Sequence, residues 1–136
     1  MPLYLEGNIF SDERGKLFFN NEFDLSSIKR MYFIENKAST IIRGWQGHQI
    51  EKRWFIAVKG NFKICVVKID NWDNPSDFLK VEEFYLDSDS FKILYVEEGS
   101  ATSIQSLKEE SKLLCFSDYT LGEVDDNYKF HSEKWK

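Results

Sequence analysis

Two consecutive strand-like segments joined by a glycine turn constrain the fold more than any other part of this 136-residue chain. The first segment, Trp54–Val58, is uniformly apolar, and the second alternates apolar side chains at Phe62, Ile64 and Val66. A Lys-Gly-Asn turn at residues 59–61 separates them, which is typical of a β-hairpin. No segment of the chain sustains the 3.6-residue period of an amphipathic helix, so the pattern favours an all-β protein.

The rest of the chain repeats short apolar segments between turn residues. We predict roughly nine or ten strands at intervals of about 8–12 residues, the pattern of a β-sandwich or jelly roll formed by one domain over residues 1–136. Besides the hairpin, the predicted strands cover residues 3–10, 16–19, 28–34, 79–86, 91–96, 101–107 and 112–117. A polar tail from about residue 122 carries Tyr128, Phe130 and Trp135, and we expect these aromatic side chains to anchor it on the body or on a second subunit.

Composition narrows the classes of partner. Aromatic residues make up 16% of the chain, which is enough large side chains to fill a β core. A net charge of −5 argues against nucleic acid or an anionic membrane as the main partner. Cys65 and Cys115 lack metal-ligand spacing, lie in apolar segments and are predicted to be unpaired, buried thiols. With no apolar stretch near 18 residues, the sequence predicts a cytoplasmic protein without a membrane anchor.

The chemically distinctive residues precede the hairpin, in the sequence RGWQGHQ that begins at Arg43. His48 is the one side chain in this motif that can act as a base near neutral pH. The guanidinium groups of Arg43 and Arg53 suit a diphosphate or an enolate. A purely structural role for each of these residues remains an alternative. The acidic pair at residues 125–126 is predicted to be a solvated turn.

This motif, together with KRWFIAVKGNFKI, resembles the central motif of cupins that act on deoxysugar nucleotides. Two branches fit, the dTDP-4-dehydrorhamnose 3,5-epimerases and the dTDP-sugar 3,4-ketoisomerases, which also occur as WxcM-like domains. The resemblance extends over residues 12–15 (DERG), 94–107 (LYVEEGSATSIQSL) and 116–119 (FSDY). It implies a cupin jelly roll (a double-stranded β-helix), a homodimer, a nucleotide-linked deoxysugar ligand and a role in bacterial surface polysaccharide synthesis.

Several positions depart from the resembled pattern. Gln46 replaces the first histidine of the motif and Thr102 replaces a later one, whereas the second histidine is retained as His48. Arg53 aligns with a lysine of the epimerases and with the carboxylate of metal-binding cupins. One metal ligand of four remains, and a guanidinium would repel a divalent cation, so we predict no catalytic metal and no cofactor.

The resemblance implies a set of site residues. His48, Arg53 and Gln46 are assigned to catalysis. The assigned substrate-binding residues are Arg14, Arg43, Trp45, Trp54, Thr102 and Tyr119.

Three functions remain open from the sequence. The first is a ketoisomerase of the 3,4 type, because one base can take a proton from one carbon and return it to the next. The second is a cupin that only binds a sugar nucleotide, which the replaced histidines favour. The third is an epimerase-like enzyme with a rearranged base.

Overall fold

The computed structural model describes residues 2–136, and this part of the chain contains twelve strands and no helix. The strands are Leu3–Glu6 (β1), Asn8–Asp12 (β2), Gly15–Phe19 (β3), Arg30–Ile34 (β4), Ile42–His48 (β5), Arg53–Lys59 (β6), Asn61–Lys68 (β7), Glu82–Asp87 (β8), Lys92–Val96 (β9), Ser100–Ser106 (β10), Lys112–Ser117 (β11) and Tyr128–Lys129 (β12). The predicted all-β class is therefore confirmed. Within the described residues, no helix has the length and apolarity needed to span a membrane.

Two five-stranded antiparallel sheets form the body. Sheet A has the strand order β1-β9-β6-β11-β4, and sheet C has the order β12-β5-β10-β7-β8. The strands β2 and β3 form a separate two-stranded hairpin, sheet B. The predicted first strand is divided at Gly7, whose N–H donates to the carbonyl oxygen of Phe91 at 2.7 Å, so β1 joins sheet A while β2 leaves it.

The core fills one part of the space between the sheets with apolar side chains from β6, β7, β9, β10 and β11. Phe62, Ile64, Leu94 and Leu113 are completely buried there. Strand alternation puts these residues on the inner faces, as the hairpin pattern predicted. Cys115 belongs to the same core, and burial raises the pKa of its thiol to about 12, whereas Cys65 is half-buried.

A glycine is required at the hairpin turn. Gly60 has a φ of 73°, and a Cβ built on it would lie 2.0 Å from Oγ of Ser111. That hydroxyl accepts the N–H of Asn61 and donates to the carbonyl of Lys108. The turn between β6 and β7 is thereby fixed to the turn between β10 and β11, which connects the two sheets at this end.

The polar motif before the hairpin is itself a strand, β5, and it contains an irregularity. Its pairing with β10 shifts between Thr102 and Ile104, because Thr102 pairs with Gln46 while Ile104 pairs with Arg43. The extra residue changes which side chains face inward, as β-bulges do. Gly44 fits there because a Cβ would lie 2.7 Å from the Cβ of Ser103.

The tail folds back on the body, as one of the two predicted alternatives stated. β12 pairs with β5, and the carbonyl and N–H of Phe130 exchange hydrogen bonds with Trp45. Trp135 is buried against Trp45, with ring centres 5.3 Å apart. The tail thus covers the outer face of β5 and holds that strand in the sheet.

Candidate functional site

A cavity of about 600 Å³ opens between the two sheets beside the apolar core. Sheet C contributes side chains of β5 and β10, and sheet A contributes side chains of β4 and β6. A smaller cavity of about 250 Å³ shares several of these residues and is bordered by residues 120–127. Cavities of this size and mixed polarity are typical of small-molecule sites.

His48 lies in the wall of both cavities and is 7% exposed. Its Nδ1 is 2.9 Å from the main-chain oxygen of Asp126. Because a carbonyl oxygen can only accept a hydrogen bond, Nδ1 carries a proton, and in the neutral imidazole Nε2 then keeps its lone pair. Burial lowers the pKa of His48 below its ordinary value of 6.5, and the Arg53 cation lowers that pKa further. The imidazole is therefore a neutral base at neutral pH.

Asp126 corrects the prediction of a solvated turn at residues 125–126. It is 2% exposed. Its carboxylate accepts the main-chain N–H groups of Gln49, Ile50 and Glu51 at 2.7–2.9 Å. Three N–H groups at the end of β5 satisfy the buried charge, so the prediction from local polarity was wrong for Asp126, whereas Asp125 is exposed. The same residue orders the turn after His48 and, through its carbonyl, sets the tautomer of the imidazole.

Arg53 is buried in sheet A, and its guanidinium is held by neighbouring side chains. Its Nη1 donates to Glu51 and to Ser117 at 2.8 Å each, and its Nε donates to the hydroxyl of Tyr32 at 3.2 Å. Burial alone would raise the pKa of Glu51, but hydrogen bonds from Arg53 and Ser117 outweigh it and hold that pKa below its ordinary value. The Arg53 charge is thus balanced by Glu51. Among the described residues, Nη2 has no partner.

The positive charge that remains comes from other cavity residues. Arg30, Arg43 and Lys129 line the cavity, and within residues 2–136 none of them forms an ion pair. The guanidinium carbon of Arg30 lies 4.6 Å from the centre of the Tyr32 ring. Arg30 is half-buried, and Arg43 and Lys129 are exposed. Three cations without an ion pair on the wall of one cavity favour an anionic ligand through their summed positive charge.

Of five other residues assigned from the sequence, three line the cavity and two do not. Gln46, Thr102 and Trp45 line the cavity together with His48, Arg43 and Arg53. Gln46 donates to Oδ1 of Asn127, which links β5 to the covering segment. Trp54 and Tyr119 do not line it.

The position of Trp54 follows from alternation along β6. Its neighbours Arg53 and Phe55 face inward, so its ring points to the outer face of sheet A, where it packs against Tyr95 at 5.3 Å.

Arg14 lies far from this cavity. It is at the end of the β2–β3 hairpin, exposed, and its guanidinium is paired with Asp12 at 2.7 Å. Four apolar side chains of the same hairpin are also exposed, namely Ile9, Phe10, Leu17 and Phe18. In this single chain the hairpin makes no contribution to the cavity wall.

Sequence reasoning missed Arg30, Tyr32, Glu51 and Asp126. A signal for the first two exists in β4, where Arg30, Tyr32 and Ile34 share one face. That face points inward, while Met31 is 62% exposed. The usual rule that apolar residues point inward therefore selects the wrong face of this strand.

One cluster has the residue types of a metal site. Ligand atoms of His48, Glu51 and Asp126 all lie within 4.8 Å of one another. The Asp126 carboxylate is occupied by three N–H groups, Nδ1 of His48 by a carbonyl oxygen, and Oε1 of Glu51 by Arg53 and Ser117. These hydrogen bonds account for the cluster as a network that orients the imidazole.

The fold and the site define a cupin with a polar cavity between its sheets, and comparison with known proteins places it further. The family model for the WxcM-like C-terminal domain (FdtA) matches residues 4–135, so the chain belongs to this family. No curated protein matches the chain.

Solved structures with the same fold include members of both branches named above. The 3,4-ketoisomerase QdtA from Thermoanaerobacterium thermosaccharolyticum in complex with TDP has a TM-score of 0.72 at 20% identity, covering 98% of this chain and 90% of that one. A 3,4-ketoisomerase from Helicobacter canadensis has a TM-score of 0.73 at 18% identity, with coverages of 98% and 93%. The rmlC epimerase of Mycobacterium tuberculosis has a TM-score of 0.77 at 16% identity, with coverages of 95% and 68%. These likenesses confirm the jelly roll.

Proposed function

We propose that this chain is a sugar-nucleotide isomerase of the 3,4-ketoisomerase type, acting on a TDP-linked 4-keto-6-deoxyhexose with His48 as the base. The observation that carries the proposal is the hydrogen bond from Nδ1 of His48 to the carbonyl of Asp126, which leaves Nε2 unprotonated in the cavity. Family membership and the ketoisomerases among the structural relatives support the choice of reaction.

The reaction requires a base and a donor for the developing negative charge. Nε2 of His48 takes the proton from C3 of the sugar, and the C–H electron pair forms the C3–C4 double bond of an enediolate with the charge on O4. The free Nη2 of Arg53 is a suitable donor to that oxygen, since its other donors are already held by protein groups. The proton on O3 then moves to O4, the electron pair of O3 forms the C3 carbonyl, and return of a proton to C4 completes the isomerisation.

The unpaired cations are assigned to the diphosphate. Arg43 is on the same strand as His48, and Arg30 is on the facing sheet. Guanidinium groups bind phosphate oxygens in pairs of parallel hydrogen bonds, which suits both arginines. Lys129 lies on β12 at the same cavity and adds a third positive charge. This arrangement supports an anionic nucleotide rather than a neutral sugar as ligand.

A homodimer would account for the position of Arg14. Its hairpin is rich in exposed apolar side chains, which are typical of protein contacts. Because Arg14 does not reach the cavity of its own chain, it contacts a nucleotide only if the hairpin docks at the site of a second copy. Sedimentation of the protein and of a Phe10→Asp, Leu17→Asp variant tests this: the dimer should dissociate, and TDP affinity should fall with it.

The reaction is tested by incubating the protein with TDP-4-keto-6-deoxyglucose in deuterated water and recording NMR spectra. We expect deuterium to enter the sugar and a 3-keto product to form. Both signals should be lost with His48→Ala. If the ligand raises the melting temperature but neither exchange nor product is seen, the chain is a binding cupin. Deuterium at both C3 and C5 without a 3-keto product would instead indicate an epimerase. Full turnover by His48→Ala would contradict the assignment of the base.

A binding cupin is the second candidate, and a specific observation favours it. The positions of two histidines in the resembled motif hold Gln46 and Thr102, which do not titrate. Gln46 is moreover engaged with Asn127. The experiment above separates the two candidates because binding and isomerisation give different signals.

A further inference from the structure

We infer that a second binding site, for one uncharged sugar ring, lies on the outer face of sheet C, between that face and the C-terminal tail. A cavity of about 240 Å³, here called the outer cavity, is present there. It is smaller than the roughly 300–1,000 Å³ cavities that hold drug-sized ligands, so it has room for a single ring and not for a nucleotide. The inner cavity, which contains His48, lies on the opposite face of the same sheet.

The floor of the outer cavity consists of side chains from four neighbouring strands. The core residues Phe62, Ile64 and Ile104 face inward, so their neighbours along β7 and β10 face outward. Pairing across the sheet arranges the outward side chains in two rows, which are Ile42–Gln105–Lys63 and Ser103–Cys65–Glu83. All six border the outer cavity. The floor therefore offers hydroxyl, amide, thiol and aliphatic groups beside one ion pair.

The charges around the outer cavity balance one another. Nζ of Lys63 lies 3.0 Å from Oε2 of Glu83, and Oε1 of this carboxylate accepts the hydroxyl of Tyr85. At the rim, Glu133 and Lys136 add one charge of each sign. The inner cavity differs, because its three surface cations form no ion pair within residues 2–136. The outer cavity thus favours an uncharged ligand over a phosphate or a carboxylate.

An unused hydrogen-bond donor lies in the wall of the outer cavity. Trp45 is 2% exposed, and among the described residues its Nε1 has no hydrogen-bond partner. The ring of Trp45 is on the outer side of the sheet, where it packs against Trp135. Trp135 borders the same cavity, but its Nε1 donates to the carbonyl of Ser76 at 2.8 Å. Since a buried donor without an acceptor is unfavourable, a ligand oxygen beside Trp45 would be stabilised.

The polar groups and the rings together favour a sugar. The hydroxyls of Ser103 and Ser132 can each donate and accept, and Oε1 of Gln105 is left to accept because the amide nitrogen donates to a main-chain carbonyl. Such groups match the hydroxyls of a pyranose, which also donate and accept. A nucleobase would need an open aromatic face for stacking, whereas Trp45 and Trp135 are buried against each other.

The test titrates the methyl glycosides of glucose, galactose and rhamnose into the nitrogen-15-labelled protein, with glucose 1-phosphate as the charged comparison. We expect at least one glycoside to shift the indole N–H signal of Trp45, which is assigned by its absence in Trp45→Phe. The same glycoside should slow alkylation of the half-buried Cys65 by iodoacetamide, while the buried Cys115 stays unreactive and serves as internal control. Glucose 1-phosphate should bind more weakly.

Three results would overturn the inference. In the first, no glycoside shifts the Trp45 signal or protects Cys65. In the second, the Trp45 signal shifts without protection of Cys65, which would place the sugar in the inner cavity, since Trp45 borders both cavities. In the third, glucose 1-phosphate binds more tightly than every glycoside, which would contradict the balance of charges.

A pair of variants tests the donor itself. Trp45→Phe keeps an aromatic ring but removes the N–H, so it should weaken glycoside binding, measured by protection of Cys65, about two- to tenfold. Trp72→Phe is the matched control, because Trp72 packs in the same apolar cluster without bordering the cavity. Unchanged affinity in Trp45→Phe, or equal weakening in both variants, would overturn the assignment. Ser103→Ala, which removes a hydroxyl of the floor, gives the same comparison where Trp45→Phe does not fold.

One further arm separates the two sources of such a ring, a free monosaccharide and the end of a glycan. An oligosaccharide that ends in the glycoside found to bind is titrated in the same way. Binding tighter than that of the glycoside identifies the end of a glycan as the ligand, and weaker binding identifies the free sugar. Either result supports a site for one neutral ring.

Discussion

Strands β5 and β7 both pair with β10 and face the same interior, yet they present opposite chemistry. In rows across the sheet, Gln46 and Val66 flank Thr102, and Arg43 and Ile64 flank Ile104. The inward side chains of β7 are apolar and completely or almost completely buried. Those of β5 are polar and line the cavity. One sheet thus carries the stability of the fold on one strand and the chemistry of the site two strands away.

The stability of β5 comes from outside the core. Its inward side chains bury little apolar area, and it is held instead by β12, by Trp135 against Trp45, and by the Asp126 carboxylate at its end. Substitutions on the two strands should therefore have different effects. Changes on β5 should alter ligand affinity and turnover, and changes on β7 should alter the free energy of unfolding.

The largest expected effect is that of His48→Asn on turnover. Asparagine keeps a donor near the position of Nδ1 but has no basic nitrogen, so kcat should fall about 10²- to 10⁴-fold, the usual contribution of a general base. TDP binding, measured by calorimetry, should change little. The matched control is His131→Asn, which removes the other histidine of the chain, exposed in the tail. A comparable loss in the control would contradict the assignment.

The corresponding change on β7 is Ile64→Ala, which should lower the free energy of unfolding by about 2–5 kcal/mol because it leaves a cavity in a completely buried position. Urea denaturation provides the measurement. Where the variant is folded, its Kd for TDP should match that of the wild type. A large loss of affinity for TDP with an unchanged free energy of unfolding would contradict the assignment of stability to β7 and of ligand binding to β5.

Arg43→Met tests the ligand side of β5 at smaller magnitude. Loss of a charge-assisted hydrogen bond of about 1.5–3 kcal/mol corresponds to a tenfold to hundredfold weaker Kd for TDP. Unfolding should be nearly unaffected, since no ion pair is broken within the described residues. Lys37→Met removes an exposed positive charge outside the cavity and serves as control. Equal weakening in both variants would point to general electrostatics and not to a site.

The smallest expected effect is in the pH dependence. Burial holds the pKa of His48 in the folded protein below its ordinary value of 6.5, so the acid limb of kcat/KM should have its midpoint below pH 6.5. The free energy of unfolding should also fall at low pH, because His48 binds a proton more readily in the unfolded chain than in the folded one. The contribution of His48 to this free energy declines as the pH falls through 6.5, and it levels off below the pKa of the folded state. His48→Asn should lack this component. An acid limb of kcat/KM with its midpoint above pH 6.5 would contradict a buried, neutral imidazole.

The contrast between the strands also explains what the sequence could predict. The β6–β7 hairpin shows clear apolar patterning, and its glycine turn is where the pattern placed it. His48 and Arg43 are predicted from the chemistry of the motif, whereas Gln46 and Thr102 are assigned only because the sequence resembles a known family. A bulge at Gly44 brings these four side chains to the same cavity, and strict alternation along a strand does not predict such a bulge.

The rest of the site depends on contacts between distant segments. Asp126 looked like a solvated acid because its three N–H partners lie more than 70 residues earlier in the chain. Arg53 is assigned to catalysis from the resemblance, but its hydrogen bond to Ser117 could not be predicted because it depends on β11 lying beside β6. In β4 the inward face is the polar one. Such assignments require the fold, because local polarity predicts the opposite.

The central claim is that His48 is a neutral imidazole with its proton on Nδ1. Nitrogen-15 NMR of the ring-labelled protein with TDP bound, at neutral pH, measures this directly. The account predicts a protonated, pyrrole-type signal for Nδ1 and an unprotonated, pyridine-type signal for Nε2. An imidazolium, or the tautomer with the proton on Nε2, would contradict the account. An imidazolium has no basic lone pair, and the other tautomer has its lone pair on Nδ1, which faces the main-chain oxygen of Asp126.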